Sequence, residues 1–378
     1  MRHNTQYSVA DLRRYISPKN FGLILDKTNE KYNQAIWRRY ADWGTPSDDK
    51  EWIQGQKETP IMVRASLLGT HSGKPQRNGE GWQYYGGSIM KMGHGFSIDE
   101  DDLFMIRKNK NLMNVPYSLL MTDTVADKTN VMIGGVHAEL NYVTLQALST
   151  GQISEFSVDG VKYDYKFPIA DTHFIKSESG KEWFTKSSNK IVANTNSDPI
   201  QDLIDAQKYL TRDLNLSVDH WKISKELFDR MLQHPVVVAA CIARANYFDK
   251  TNVHLTPQEV LNFMHDMGIW GFDVVDYKSR HEEDGLAVSD APAFDEHNLV
   301  ACNSMIVPFE MKCTNSIYID RQKMGGIAQN HNFLVEDRIM VLSSSEERPF
   351  KNIVDCELYA APVFTNIREI GFLTVWKD

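Results

Sequence analysis

Cysteine is scarce in this chain: Cys241, Cys302, Cys313 and Cys356 are the four among 378 residues, and none has CxxC spacing. That excludes a disulfide-stapled scaffold and a zinc-ribbon site, and it predicts reduced, partly buried thiols. Long apolar runs are missing as well. A membrane helix needs ~18 consecutive apolar residues, and the best candidate, Pro235 to Ala243, is about half that and meets Arg244 at once. The opening residues, Met1-Arg2-His3-Asn4-Thr5-Gln6, hold no apolar core of a secretory signal. A soluble protein that stays in the compartment of its synthesis is the expectation, with no membrane partner. Positive charge is not in excess. A net charge of −9 argues against a surface built to grip phosphate backbones. No internal repeat and no low-complexity tract is present.

Catalytic signatures are also wanting. Gly69-Thr70-His71-Ser72-Gly73-Lys74 is one residue short of a phosphate-binding GxxxxGK loop, and Pro75 stands where a magnesium-binding Ser or Thr belongs. Ser88-Ile89-Met90-Lys91 has SxxK spacing without an SDN or KTG partner. Asp171-Thr172-His173 has metallophosphatase-like spacing, yet the further carboxylate, Asn and His runs of a dinuclear site are absent. His254, His265 and Asp266 lie on or beside one predicted helix without HExxH. His137 and Glu139, two apart, point to different sides of another. No catalytic residue, cofactor or metal is therefore assigned.

What the chain does have is ordinary globular material, 42% apolar and 24% charged, in a length that can bury a substantial core. Residues 1–55 read as a polar arm carrying Trp37, Trp43 and Trp52, aromatics that would dock either on the rest of the chain or on a neighbouring copy. Pro60 to Leu68 reads as a strand, Gly69 to Gly87 as a glycine-rich tip, and Ser88 to Phe96 as the returning strand. A two-stranded ribbon is marginal alone, so this one needs something to lie on.

The spacing of Val136, Leu140, Val143 and Ala147 predicts a long helix within 124–149, capped by Thr122 or Asp123, closed by Gly151, and able to bend at Gly134-Gly135. A strand at Tyr163–Phe167 and a polar loop at 171–196 follow. Ser197-Asp198-Pro199 opens a helix with Ile200, Leu203, Ile204, Leu210 and Leu214 inward. Trp221–Ile223 reads as a strand, and Ser224 caps a helix burying Leu227, Phe228, Met231 and Leu232. Thr256-Pro257-Gln258-Glu259 is a capping box, opening a helix with Val260, Phe263, Met264 and Met267 on one face and Gly268 as its stop. Phe272–Tyr277 is a strand, and 281–300 an acidic surface insertion. Asn332-Phe333-Leu334 then leads into an apolar strand at Ile339–Leu342, and Ala360-Ala361-Pro362-Val363 into a last one.

Taken in order, these markers resemble the lambda-like (capsid E-type) major capsid protein family of tailed bacteriophages, over roughly residues 55–378. The resemblance implies an α+β tailed-phage major capsid fold: an N-terminal arm (1–55), an extended β-ribbon loop (56–100), a peripheral domain (101–194 plus 341–378) with its spine helix, and an axial domain (195–340) with an insertion at about 281–328. It implies a non-enzymatic subunit that assembles with copies of itself into the pentamers and hexamers of an icosahedral shell. Scaffolding, decoration and portal proteins would be further partners, and packaged double-stranded DNA a non-specific one. The location would be the virion capsid, assembled in the host cytoplasm. Candidate inter-subunit contacts are Trp37, Trp43, Trp52, His71, Lys74, Arg77, Trp82, Tyr84 and Tyr85. Lys74 or Lys91 near the loop could join an Asn in an isopeptide bond, although nothing in the sequence raises either above a surface lysine. The alternatives are a metal-dependent hydrolase with ligands converging from His71, His94, Asp171 and His173, and a tail or connector component of the phage particle.

Overall fold

The computed structural model describes residues 24–376 apart from 26, 29, 58–81, 114–116, 157–161, 188–189, 245–254, 284–285, 290–291, 317–330, 335–337 and 348–349. In the first part of the chain a single 3-10 turn, Ile36–Arg39, precedes β1 (Ala41–Trp43) and β2 (Glu51–Lys57). Next come β3 (Trp82–Ser88), β4 (Met90–Asp99), α1 (Glu100–Met113) and α2 (Tyr117–Thr150). Strands β5 (Gln152–Phe156), β6 (Lys162–Lys166) and β7 (Phe174–Lys176) lead to a hairpin of β8 (Phe184–Ser187) and β9 (Lys190–Ala193).

The middle of the chain alternates α3 (Pro199–Lys208), β10 (His220–Ser224), α4 (Lys225–Leu232), α5 (Pro235–Arg244), α6 (Pro257–Asp266) and β11 (Gly271–Val275). A hairpin of β12 (Arg280–Glu283) and β13 (Leu286–Ser289) follows, then β14 (Asn298–Cys302), β15 (Phe309–Cys313), β16 (His331–Leu334), β17 (Met340–Glu347), β18 (Phe350–Phe364) and β19 (Ile370–Thr374).

Two sheets organise two hydrophobic cores. The first runs β1-β15-β18-β17-β16, with β4 on the free flank of β18. The second runs β11-β10-β14-β19-β7. Long β18 is the axis of the first sheet: its Lys351–Ala360 stretch pairs antiparallel with β4, and its Phe350–Glu357 stretch with β17. Pro362 lies beyond Ala360, the last residue paired to β4, so one side of the strand is free where a residue without an N–H stands. The first core gathers Trp37, Ile98, the spine helix α2, Phe167, Phe309 and Phe364. The second gathers Trp183, Leu203, Trp221, Met231, Val260, Leu299 and Trp376.

Helix starts follow their local chemistry. Asp198 accepts hydrogen bonds from the amides of Ile200 and Gln201 with Pro199 in the first turn, and Ser224 accepts from the amide of Leu227. Thr256 and Glu259 close the reciprocal capping box. On α6, Val260, Phe263 and Met264 are buried, but Met267 is exposed because the helix ends before it and the chain turns through Gly268 at φ 81°.

The spine helix departs from expectation at its start. It begins at Tyr117, seven residues before position 124, so neither Thr122 nor Asp123 caps it. At ~1.5 Å per residue its 34 residues span about 50 Å. It passes through Gly134-Gly135 as one uninterrupted helix. The reason for the glycines is close approach: a Cβ on Gly134 would strike the Tyr32 hydroxyl, and one on Gly135 would press on the His94 ring at 3.2 Å. One helix turn thus lets the N-terminal segment and β4 approach the spine together.

Three further expectations are corrected. Helix α1 was unforeseen; its acidic first turn, Glu100, Asp101 and Asp102, complements the helix dipole. The polar stretch 171–196 contains β7, which pairs with β19, and the β8–β9 hairpin. The stretch read as an insertion at 281–328 includes core strands among its described residues. Its β14 lies between β10 and β19 with Leu299, Val300 and Ala301 fully buried, and its β15 pairs with both β1 and β18.

Three histidines are buried among the described residues: His137 on the spine helix, and His173 and His234. His173 donates from Nδ1 to the carbonyl of Ile370 at 2.7 Å. His234 accepts at Nδ1 from the amide of Val236 (3.3 Å) and donates from Nε2 to Ser197 Oγ (3.3 Å), which itself donates to the Asn194 carbonyl. Burial is the first cause lowering both pKa values below the ordinary 6.5. The unfolded chain therefore binds these protons at higher pH than the folded one, so their contribution is complete above about pH 6.5 and drains as pH falls. The urea midpoint is expected to drop between pH 7.5 and 5.5, and His234→Gln to flatten that drop. Comparing the two proteins cancels the half-buried carboxyls Asp202 and Glu296, whose raised pKa values pull the other way.

Candidate assembly interface

The ribbon is built differently from its sequence reading. Its outgoing strand is β2, paired antiparallel with β3 from Glu51 opposite Ser88 to Lys57 opposite Trp82. The strand expected at Pro60–Leu68, the loop tip, and the candidates His71, Lys74 and Arg77 lie outside the described residues. The stretch expected to return, Ser88 to Phe96, is mostly β4, which belongs to the first sheet along β18. Gly87, at the root of the ribbon, allows aromatic contact: a Cβ there would lie 3.0 Å from both the Trp52 and the Tyr165 rings.

Side chains alternate across the ribbon. The inner face carries Trp52, Gln56, Gln83 and Tyr85. Trp52 is 4% exposed and meets Tyr85 edge-on at 5.8 Å and Tyr165 at 5.2 Å. The chain of rings continues from Tyr165 to Phe167 (4.9 Å) and Phe364 (4.8 Å), into the first core. Tyr85 donates to the carbonyl of Phe364 at 2.9 Å, Arg368 Nη2 donates to Gln83 Oε1 at 3.0 Å, and Tyr163 donates to the carbonyl of Ser88. Burial raises the pKa values of Tyr85, Tyr163 and Tyr165, the last to about 12, so all three are neutral hydroxyls at any physiological pH. The root of the ribbon is thus seated on its own chain, on β6 and the loop after β18.

The outer face is bare. Ile53, Trp82 and Tyr84 are 74%, 58% and 70% exposed, and the Trp82 and Tyr84 rings stack at 6.4 Å and 18°. Exposed aromatics grouped on one rigid face mark an interaction surface. Ile53 was missed in the sequence, although once β2 is paired its alternation with Trp52 puts it outward.

The arm tryptophans behave otherwise. Trp37 is 1% exposed; its backbone amide donates to Asn141 Oδ1 (2.8 Å) and its Nε1 to His137 Nδ1 (3.2 Å) on the spine helix. Tyr32 stacks on His137 at 4.8 Å, and half-buried Trp43 meets Trp37 edge-on at 5.3 Å. Trp37 and Trp52 are therefore intramolecular packing residues rather than projecting anchors. The reason is that 24–57 joins the first core and pairs into its strands.

Of the hydrolase ligands, His71 lies outside the described residues, and His94, Asp171 and His173 form no common cluster. Among the described residues no group of three or more His, Cys, Asp or Glu could hold a metal ion. His94 lies against Gly135, and His173 is taken by Ile370. Lys91 is also engaged, its Nζ 2.9 Å from buried Glu357, to which Ser316 donates as well. No helix among the described residues is long and apolar enough to cross a membrane.

The family model of phage major capsid protein E matches residues 71–303, more than half of the chain. A capsid protein of a prophage in E. coli CFT073 is similar in structure, with a TM-score of 0.51 at 11% identity over 95% of this chain and 98% of that one. The capsid of Myoviridae phage XM1 has a TM-score of 0.40 at 11% identity over 86% and 85%. No curated protein matches the chain. With a capsid-type α+β fold, the chain belongs to the phage major capsid protein E family and serves as a structural subunit of the virion's shell.

Proposed function

We propose that copies of this chain close head to tail into pentamers and hexamers, and that these tile an icosahedral shell around double-stranded DNA in the host cytoplasm. The observation that carries this reading is the ribbon: its root is fixed to its own chain while its outer face offers Ile53, Trp82 and Tyr84 to solvent. An exposed apolar face on a ribbon seated at its root suits an interface closing by rotation, each contact burying on the order of 1,000 Å² or more. The first core corresponds to a peripheral domain with α2 as its spine, and the second to an axial domain clustering about local symmetry axes. The pairing of β15 with β18 supports an axial domain that excludes 309–340, drawing instead on about 183–275 with β14. A net charge of −9 fits a wall that does not adhere to packaged phosphate. Scaffolding, decoration and portal proteins are further partners of the same reading.

Electron microscopy of the purified full-length chain tests it. Closed shells tens of nanometres across are the expected result. Tubes or open rings would point to a tail or connector role, and dispersed monomers at every concentration would sink both.

A further inference from the structure

Asp219 and Ser304 clamp the turn between β14 and β15. Ser304 donates to Asp219 from its amide (2.7 Å) and its hydroxyl (2.6 Å), and Asn303 Nδ2 donates to the Ser217 carbonyl at 2.9 Å. The clamped turn nevertheless presents Met305 (88% exposed) and Ile306 (42%) to solvent. Beside Ile306 it meets the loop from β18 to β19, and the two enclose a hollow of about 20 Å³. Its walls include Asn303, Ile306, Pro308, Phe364, Asn366 and Glu369. That is room for one water-sized group.

The wall of the hollow is short of hydrogen-bond donors. Glu369 is half-buried, and its Oε2 is shut off from solvent with no hydrogen-bond partner among the described residues. Gln56, 7% exposed, adds a second orphan acceptor in its Oε1, behind Asn366. The donors nearby are engaged elsewhere. Thr365 Oγ1 donates to the carbonyls of Val307 and Pro308, Gln56 Nε2 to Asn366 Oδ1, and Arg368 Nη2 to Gln83 Oε1. A shielded carboxylate oxygen without a donor is unfavourable, so the missing donor comes from outside this fold.

Water and an ammonium both fit by size, and charge separates them. Water satisfies the hydrogen bond but leaves the negative charge uncompensated; an ammonium does both, with three donors. A guanidinium fork is too broad for a hollow of one water. The apolar side formed by Ile306, Pro308 and Phe364 suits the methylene stem of a lysine. We propose that this hollow receives the ammonium of a lysine from a second copy of the chain. The inference rests on the shell reading and assigns a charged contact to it. Charge complementarity names the group, and continuity names its source. Asn366 holds the ribbon root through Gln56, so the hollow adjoins the ribbon argued above to meet a neighbour.

Carbodiimide treatment of shells assembled from mixed ordinary and heavy-nitrogen full-length chains tests this. The reagent activates a carboxyl as an O-acylisourea; an amine in contact attacks it, and an amide forms as the substituted urea leaves. Peptide mapping is expected to find Glu369 joined to a lysine of another copy, about tenfold or more above the level in dispersed subunits. The exposed Lys181–Glu178 pair, 2.6 Å apart, couples in both samples and serves as the control. Shells in which the control couples and Glu369 does not overturn the contact and leave the shell reading intact. If the unaltered chain forms no shells, both fall. If Glu369 couples to added spermidine and to no lysine, the hollow takes a free amine and the second copy is refuted as its source. Glu369→Gln keeps the size and removes the charge. It should melt like the parent, raise the concentration needed for assembly about tenfold or more, and weaken the salt dependence of assembly. Unchanged assembly marks a hollow that holds water and refutes the proposal.

Discussion

Replacing Trp82 and Tyr84 together with alanine is expected to abolish shell assembly and leave the folded monomer intact. Both rings are more than half exposed and stack on each other rather than on the core. Surface substitutions of this kind stay within about 0.5 kcal/mol of stability, a shift of roughly 2 °C or less in melting temperature for a chain this size. At an interface the same rings act as anchors worth about 2 kcal/mol or more each. Losing about 4 kcal/mol from one contact weakens it roughly a thousandfold, and every contact around a ring carries the loss. Trp52→Ala is the matching control. Its ring is buried under Tyr85 and Tyr165, so truncation should cost about 3–5 kcal/mol of fold stability. Light scattering against concentration and a thermal melt, run on both proteins, separate the outcomes. Normal assembly by the double alanine variant would remove the ribbon face from the interface.

Tyr84 and Tyr85 show how far the sequence could be read. Both are aromatic and polar-tipped, and both fall in the segment that reads as a glycine-rich tip. Pairing β3 with β2 sends one outward and the other onto Phe364. Nothing local to Tyr84 or Tyr85 sets that register, because the partner strand lies about thirty residues upstream. The helices opening at Pro199, Lys225 and Pro257 were legible for the opposite reason: Asp198, Ser224 and Thr256 act within three residues of themselves. Strands β10 and β11 were legible because short apolar runs follow or precede those capped helices. Strand β14 was not, since Asn298–Cys302 sits among acidic residues and becomes central only when β10 and β19 flank it. The run from Asn332 to Leu342 is in fact a hairpin, β16 against β17, at one edge of the first sheet. Its place near the end of the chain carried the family resemblance; its pairing could not be read from it.

The arm tells the same story with a larger energy. Trp37→Ala is expected to destabilise the monomer by about 3–5 kcal/mol, the range for truncating a buried aromatic. Three contacts go at once: the edge-on stack with Trp43, the cation–π contact of Arg38 at 4.8 Å, and the Nε1–H donated to His137. Trp37→Phe separates packing from hydrogen bonding. It keeps most of the ring and loses the indole N–H, so it should cost about 1–3 kcal/mol, the range for disturbing one buried partner. Because Tyr32 stacks on the same His137 and crosses Gly134, Trp37→Ala and Gly134→Ala strike a shared site on the spine helix and should combine non-additively by at least 0.5 kcal/mol. Urea unfolding of the monomer reads all three variants. Should Trp37→Ala unfold at the parent's midpoint, residues 24–43 do not rest on the spine helix in solution; the expected loss instead makes that segment part of the fold before any neighbour arrives.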